Sequence, residues 1–282
     1  MAKKHVNFAI GSEFNYLEDY IKKGTLVIPI SQSGESIDVI QPIVSAQKKG
    51  ATIAALVNVL GSTLYRQADN VILLNSGPEK CVIATKSFIA MISVILLIAY
   101  TLAKKQIEGK ELLIQAAKDV ERIIKDDFVK EIQKVADVLK RKEHVYVIGR
   151  GISYPIALEG ALKIKESTYL HAEGFAGGEL KHGVIALIDK GTPCIVYAPN
   201  DETFSDVISN ATQIKARGGV IIGIGPRNDQ VFDMFLQTAD IKEATMIPQV
   251  VISQLLAYNL ALKRGISDPD KPRNLAKSVT VK

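Results

Sequence analysis

The 282 residues carry 35 Lys and Arg against 30 Asp and Glu, a formal charge of +5 with both signs interspersed, and are 47% hydrophobic. That balance excludes a disordered chain and offers no basic block for nucleic acid, while suiting small anionic ligands. Two cysteines, Cys81 and Cys194, exclude a disulfide framework and fit a reducing cytoplasm. The start, Met1-Ala2-Lys3-Lys4-His5, has no apolar segment behind it and does not read as a signal peptide.

In chain order, residues 6–10 suggest a short strand, followed by a helix reaching Glu18 to Lys23. Leu26 to Ile30 is an apolar run of strand length, and Ser36 to Lys49 a helix closed by Gly50. Thr52 to Val57 and Val71 to Leu74 read as strands, and Thr85 to Lys104 as a long helix. Its apolar core, Phe88 to Ala103, falls short of the roughly 20 residues a membrane span needs. No other stretch repeats that pattern, so it reads as a helix buried on most sides, in a core or a subunit interface. Residues 105–143 are charged and periodic and read as two helices linking two domains.

The second half opens with a strand, His144 to Ile148, and the turn Gly149-Arg150-Gly151. Tyr154 stands where a dinucleotide fingerprint needs a small residue, so that motif is excluded. A helix follows from Tyr154 to about Ser167, then a glycine-rich loop from His171 to Gly183. Strands are expected at Val184 to Leu187, Pro193 to Tyr197 and Val220 to Ile224, and helices at Thr203 to Arg217 and Pro248 to Lys263. The tail 264–282 is polar and ends in a short β-like run.

The halves repeat. Leu26 and Cys194 begin strands, and Gly50 and Gly218 end the next helices, at one constant spacing. Each half is strand–helix–strand, which gives parallel α/β layers. By the same spacing the counterpart of strand 144–148 would precede residue 1. The expected organisation is a first domain over 1–104, incomplete at its N-terminus, a helical linker over 105–143, a second domain over 144–263, and a C-terminal tail over 264–282.

Four places carry candidate chemistry. Ser31-Gln32-Ser33-Gly34-Glu35-Ser36 joins a strand to a helix, where unpaired backbone N–H groups and the helix dipole favour an anion such as phosphate. An ordinary N-cap by Ser or Glu is the competing reading. Glu166 lies near a helix end with Lys163, as a general base or as a solvated pair one turn apart. His182 follows Gly178-Glu179-Leu180-Lys181; histidine's ordinary pKa lies near neutrality. Lys277 lies in a tail with apolar residues able to dock it, and a desolvated lysine forms Schiff bases with carbonyls. No spacing suggests a metal site.

Ser31-Gln32-Ser33-Gly34-Glu35-Ser36 resembles the sugar-phosphate loop of sugar isomerase (SIS) domains. Asn75-Ser76-Gly77-Pro78-Glu79, Ala157-Leu158-Glu159-Gly160-Ala161-Leu162-Lys163-Ile164-Lys165-Glu166, Gly178 to Gly183 and Pro272 to Val281 extend the likeness along nearly the whole chain. The last two motifs resemble the isomerase half of glutamine-dependent sugar-phosphate aminotransferases. The resemblance implies two tandem flavodoxin-like SIS domains with parallel sheets, with neither a glutaminase domain nor the first βα unit of the first domain. It implies isomerisation of fructose 6-phosphate, giving glucosamine 6-phosphate with ammonia or glucose 6-phosphate without it. The route runs through an open-chain sugar and a lysine Schiff base. Glu166 matches the general base, His182 the ring-opening histidine (contributed across a dimer), and Lys277 the Schiff-base lysine. Ser31, Gln32, Ser33, Ser36, Val82, Lys163 and Ala276 match substrate contacts. Ala84 replaces a serine that touches the sugar, a loss of about 1 kcal/mol if nothing substitutes. A homodimer, a cytoplasmic location and a separate glutaminase chain fit this reading; cofactor, metal, nucleic acid and membrane do not enter it. A glucosamine-6-phosphate deaminase and a non-catalytic sugar-phosphate-binding module are the alternatives.

Overall fold

The computed structural model describes residues 3–275. It divides into two compact units, the first running to Lys104 and including the stretch from Arg273, the second spanning Lys105–Pro272.

In the first unit, Leu26–Val27 (β1) and Ile30–Ser31 (β2) run along one side of Thr52–Val57 (β3), all parallel. Asn70–Leu73 (β4) pairs with the other side. β1 and β2 are two halves of one strand interrupted at Pro29, which lacks the N–H a ladder needs. The helix Ile37–Lys48 (α1) turns Ile43 and Ala46, three residues apart, onto Ile53 and Ala55 of β3. Two further helices complete the unit, Thr63–Gln67 (α2) and the apolar Lys86–Leu102 (α3).

The expected strand at 6–10 is absent, and 3-10 helices at Gly11–Tyr16 and Glu18–Tyr20 replace the helix expected to reach Lys23. Val6, Phe8 and Ile10 do alternate as in a strand, yet they are 78%, 87% and 60% exposed. Alternation makes a strand only where a neighbouring strand supplies hydrogen bonds, and none lies beside them among the described residues.

In the second unit, helices Gln106–Ile123 (α4) and Asp126–Leu139 (α5) precede a five-stranded parallel sheet. Its strands are His144–Gly149 (β5), His171–Ala176 (β6), Pro193–Tyr197 (β7), Val220–Gly225 (β8) and Met234–Gln237 (β9), in spatial order β6-β5-β7-β8-β9. The helices Ser153–Thr168 (α6) and Met246–Lys263 (α8) pack on each other, and α4 and α5 also pack on α8. Phe204–Lys215 (α7) lies against β7 and β8, where Phe204, Val207, Ala211 and Ile214 meet Cys194, Val196 and Ile221.

The glycine-rich stretch from His171 is not a loop but β6 followed by the 3-10 helix Gly177–His182. Gly174 is the reason glycine suits a strand here: a Cβ would strike the Ala157 carbonyl of α6. Val184–Leu187 is a 3-10 helix, not a strand; Gly183 at φ +143° turns the chain, and Ala186 N–H donates back to Gly183 O at 2.9 Å. β9 was not expected; four residues carry little periodic signal.

The repeat is real but slips by one residue. Leu26 faces Thr52, whereas Pro193, not Cys194, faces Val220. Leu26, Ile28 and Ile30 therefore correspond to Pro193, Ile195 and Tyr197. The apolarity of Phe88 to Ala103 is also not unique. The helical segment 242–263 is long and apolar enough to cross a membrane, but 72% of its window is buried, as befits a core helix.

Candidate active site

The Ser31–Ser36 turn leaves the C-terminal end of β2 and enters α1, the end of a parallel strand where open α/β sheets bind ligands. Gly34 sits at φ +68°, and a Cβ there would collide with the side chains of Ser62 and Val57. Its N–H donates to Ser31 Oγ at 3.0 Å, and the N–H of Glu35 to Ser33 Oγ at 3.2 Å. The competing cap reading fails on two counts. Ser36 stands at the N-cap of α1 but its hydroxyl makes no capping bond. Glu35 turns away, accepting the N–H of Thr63 at 2.8 Å at the start of α2. Hydrogen bonds from Thr63 hold its carboxyl below the usual range. The start of α1 thus keeps N–H groups free of its own side chains, beside the Ser36 hydroxyl, as an anion site requires.

The second unit has a counterpart turn with opposite chemistry. After β7, Asp201 Oδ1 accepts from Thr203 N–H at 2.8 Å and Thr203 Oγ1 at 2.6 Å just before α7. A carboxylate of the chain itself occupies the place that serines line in the first unit.

Two residues outside the expected set shape the first-unit site. Asn58 donates to Gly77 O at 2.8 Å and accepts from Ser76 N–H at 3.0 Å, pinning the Asn75–Gly77 turn to the end of β3. Glu79, 5% exposed, accepts from the N–H and hydroxyl of Thr85 and of Ser87, the latter hydroxyl at 2.6 Å. Burial alone would raise its pKa, but the Ser87 and Thr85 bonds outweigh it and hold the carboxyl low. Glu79 therefore anchors the start of α3. Val82 and Ala84 are half-buried between those anchors.

In the second unit, Lys163 is 3% exposed. Its Nζ lies 2.7 Å from Glu166 Oε2 and 3.3 Å from Glu159 Oε1, all three on α6. A pair on a solvated helix face is excluded by that burial. Glu159 was not singled out by sequence, although its spacing of four residues before Lys163 is the signal. Burial raises the Glu159 pKa, and Lys163 opposes the shift. α6 ends at Tyr169, in a left-handed conformation at φ +58°. His182 is exposed at the end of its 3-10 helix, in the same unit as Glu166. His171 instead sits beside His144 across the β5–β6 ladder, Nδ1 to Nδ1 3.3 Å. Ala276 and Lys277 lie outside the described residues.

The SIS domain profile matches residues 1–100 and 138–264, and the chain belongs to the SIS domain family. Within that family it is similar to one kind of enzyme along its whole length. It is 43% identical to the glutamine–fructose-6-phosphate aminotransferase [isomerizing] of Thermococcus kodakarensis, over 100% of this chain and 48% of that protein. The Aquifex aeolicus protein of the same name is 40% identical over 96% of this chain and 46% of its own length. The chain thus spans about half the length of these curated relatives. The solved C-terminal domain of the Francisella tularensis glucosamine-fructose-6-phosphate aminotransferase superposes with a TM-score of 0.83 at 31% identity, over 94% of this chain and 78% of that one. The glucosamine-6-phosphate deaminase of Thermotoga maritima, at 21% identity and a TM-score of 0.78, shares the fold.

Proposed function

We propose that the chain isomerises a hexose 6-phosphate, converting fructose 6-phosphate to glucosamine 6-phosphate with ammonia or to glucose 6-phosphate without it. The observation that carries this reading is the Ser31–Ser36 turn, whose serines face a helix start left uncapped by the chain. Phosphate binds there, held by Ser31, Gln32, Ser33 and Ser36, with Val82 and Ala276 lining the sugar. His182 moves the proton that opens the ring. The Lys277 amine condenses with the C2 carbonyl, forming the imine and releasing water. Glu166, oriented by its ion pair to Lys163, carries the proton between C1 and C2. That proton transfer follows exchange at C2: ammonia displaces the lysine amine from the C2 imine, and the new imine isomerises to the amino sugar with its C1 aldehyde, whereas water displaces the lysine amine to restore the C2 ketone, which isomerises to glucose 6-phosphate. The 43% identity to an isomerizing aminotransferase supports the substrate class. A homodimer completes the site through His182, and a separate glutaminase chain supplies ammonia. The thiols of Cys81 and Cys194 suit a cytoplasmic setting.

The test is turnover of fructose 6-phosphate by the purified chain, with and without ammonia, beside a Lys277→Ala control. Aldose phosphate that vanishes in the control is the expected result. Binding of fructose 6-phosphate without product from either protein would overturn the catalytic reading in favour of a binding module. Faster release of ammonia from glucosamine 6-phosphate than its uptake would favour a deaminase.

A further inference from the structure

The chain has four histidines, and two of them meet where the second sheet begins. His144 opens β5 and His171 opens β6. The parallel register sets one directly against the other, so both side chains leave the same face of the sheet. Tyr146 and Phe175, two and four residues further along their strands, enter the core under α7 from that face. Both histidines are exposed, and neither takes part in the reaction proposed above.

Nδ1 of His144 stands 3.3 Å from Nδ1 of His171, with the ring centroids 5.3 Å apart and the planes at 81°. Two nitrogens each about 2.0–2.1 Å from one tetrahedral zinc ion lie about 3.3–3.4 Å apart, with their ring centroids about 5.2 Å apart. A straight hydrogen bond of the same length would put the centroids about 5.6 Å apart. The pair is long for a hydrogen bond and bent as a shared ion requires. Neither ring has another hydrogen-bond partner among the described residues. Water therefore reaches each Nε2. One Nδ1 carries the proton of the present contact; on binding an ion that proton passes through solvent to Nε2, leaving both Nδ1 lone pairs to the metal.

The cations nearest in sequence are directed elsewhere. Lys142 Nζ donates to the Gly191 carbonyl at 2.8 Å. The Arg264 guanidinium donates to the carbonyls of Thr168, Lys140 and Lys142 at 3.1, 3.0 and 3.2 Å. Glu173 follows His171 on the same face of the sheet, and after burial its charge is the second cause of the raised Tyr146 pKa. No third His, Cys, Asp or Glu completes a cluster among the described residues. Structural zinc sites take four protein ligands, whereas two leave room for water and for exchange of the ion.

We propose that His144 and His171 chelate a divalent transition-metal ion through their Nδ1 atoms, with water in the remaining positions. Two imidazoles select zinc and its neighbours nickel and copper over magnesium and calcium, which take oxygen ligands. The ion ties the first residue of β5 to the first residue of β6, an edge strand that pairs with β5 alone among the described residues. Between those two points runs α6, with Glu159, Lys163 and Glu166. The chelate thus closes the strand–helix–strand segment at the end where its strands begin. The two histidines lie 27 residues apart, a spacing that belongs to no metal motif and is brought together by the β5–α6–β6 crossover. This site stands whatever ligand the Ser31–Ser36 turn takes.

The test is a zinc titration of the purified full chain, read by the histidine ring resonances and by the melting temperature, with magnesium as the control ion. The expected result is one zinc per chain, ring shifts at His144 and His171 but not at His5 or His182, and a melting temperature that rises with zinc and not with magnesium. His144→Ala and His171→Ala each weaken zinc binding by about tenfold or more, because each removes half of the chelate. Both leave the metal-free melting temperature unchanged, since the rings are already in water. Zinc affinity that survives both substitutions, or zinc that leaves the two rings unmoved, would overturn the proposal. So would one zinc per two chains, since the ion would then be held between copies.

Discussion

Lys163 lies one turn before Glu166 on α6, its Nζ 2.7 Å from the Glu166 carboxylate, with the lysine almost wholly removed from water. The same ammonium reaches Glu159 at 3.3 Å, so one buried cation serves two carboxylates. Removing it strands both. Lys163→Ala is expected to destabilise the second unit by about 3 kcal/mol or more, since it leaves carboxylates buried without their partner. Glu166→Gln keeps the shape and is expected to lower turnover of fructose 6-phosphate by roughly 10²–10⁴-fold with little change in melting temperature. Urea midpoints and steady-state rates on both variants check these expectations.

Glu159 makes the stability of the second unit depend on pH. Burial raises its folded pKa above the ordinary value of 4.5. The folded state then holds the proton more tightly than the unfolded chain, so the benefit is complete below that value and declines as pH rises through the folded one. Glu159→Gln is expected to flatten this decline. A denaturation series from acid to neutral pH that shows the same slope in wild type and variant would count against it.

Glu79 acts in the opposite sense. Its folded pKa lies below the ordinary value of 4.5, so its contribution is present above that value and lost as pH falls through the folded one. Glu79→Gln replaces an acceptor by an amide facing two N–H and two hydroxyl donors. It is expected to cost about 2 kcal/mol near neutrality, and less in acid.

Ser36 and Gly34 separate binding from folding within one turn. The Ser36 hydroxyl makes no capping bond. Ser36→Ala is therefore expected to leave the melting temperature alone and weaken fructose 6-phosphate binding by about tenfold, the worth of one hydrogen bond to a charged group. Gly34→Ala meets both a positive φ and the side chain of Ser62, and is expected to cost about 2 kcal/mol of stability as well as affinity. Calorimetry with and without the sugar phosphate distinguishes the two.

Much of the second unit was legible because its strands are continuous apolar runs and its helices are long. β7 at Pro193–Tyr197 and β3 at Thr52–Val57 fall where the sequence places them. The Ser31–Ser36 turn was legible as a hydroxyl-rich link between strand and helix. What sequence could not show was partnership. Val6, Phe8 and Ile10 alternate like a strand but have no ladder, while His171–Ala176 reads as loop because of its glycine yet pairs along its whole length with β5. The burial of Lys163 was hidden for the same reason: a lysine between two glutamates reads as a wet helix face until another helix covers it. Glu35 looked like a cap for α1 and caps α2, a contact 28 residues away that no local pattern encodes.

The two strand-to-helix turns differ by more than composition. One presents serine hydroxyls; in the other, Asp201 bonds to Thr203 and puts fixed negative charge where an anion would dock. A tandem duplication that keeps both folds but plugs one mouth with its own carboxylate sets a stoichiometry. On the proposed function, each chain is expected to bind a single equivalent of sugar phosphate at the Ser31–Ser36 turn and none at the Asp201 turn.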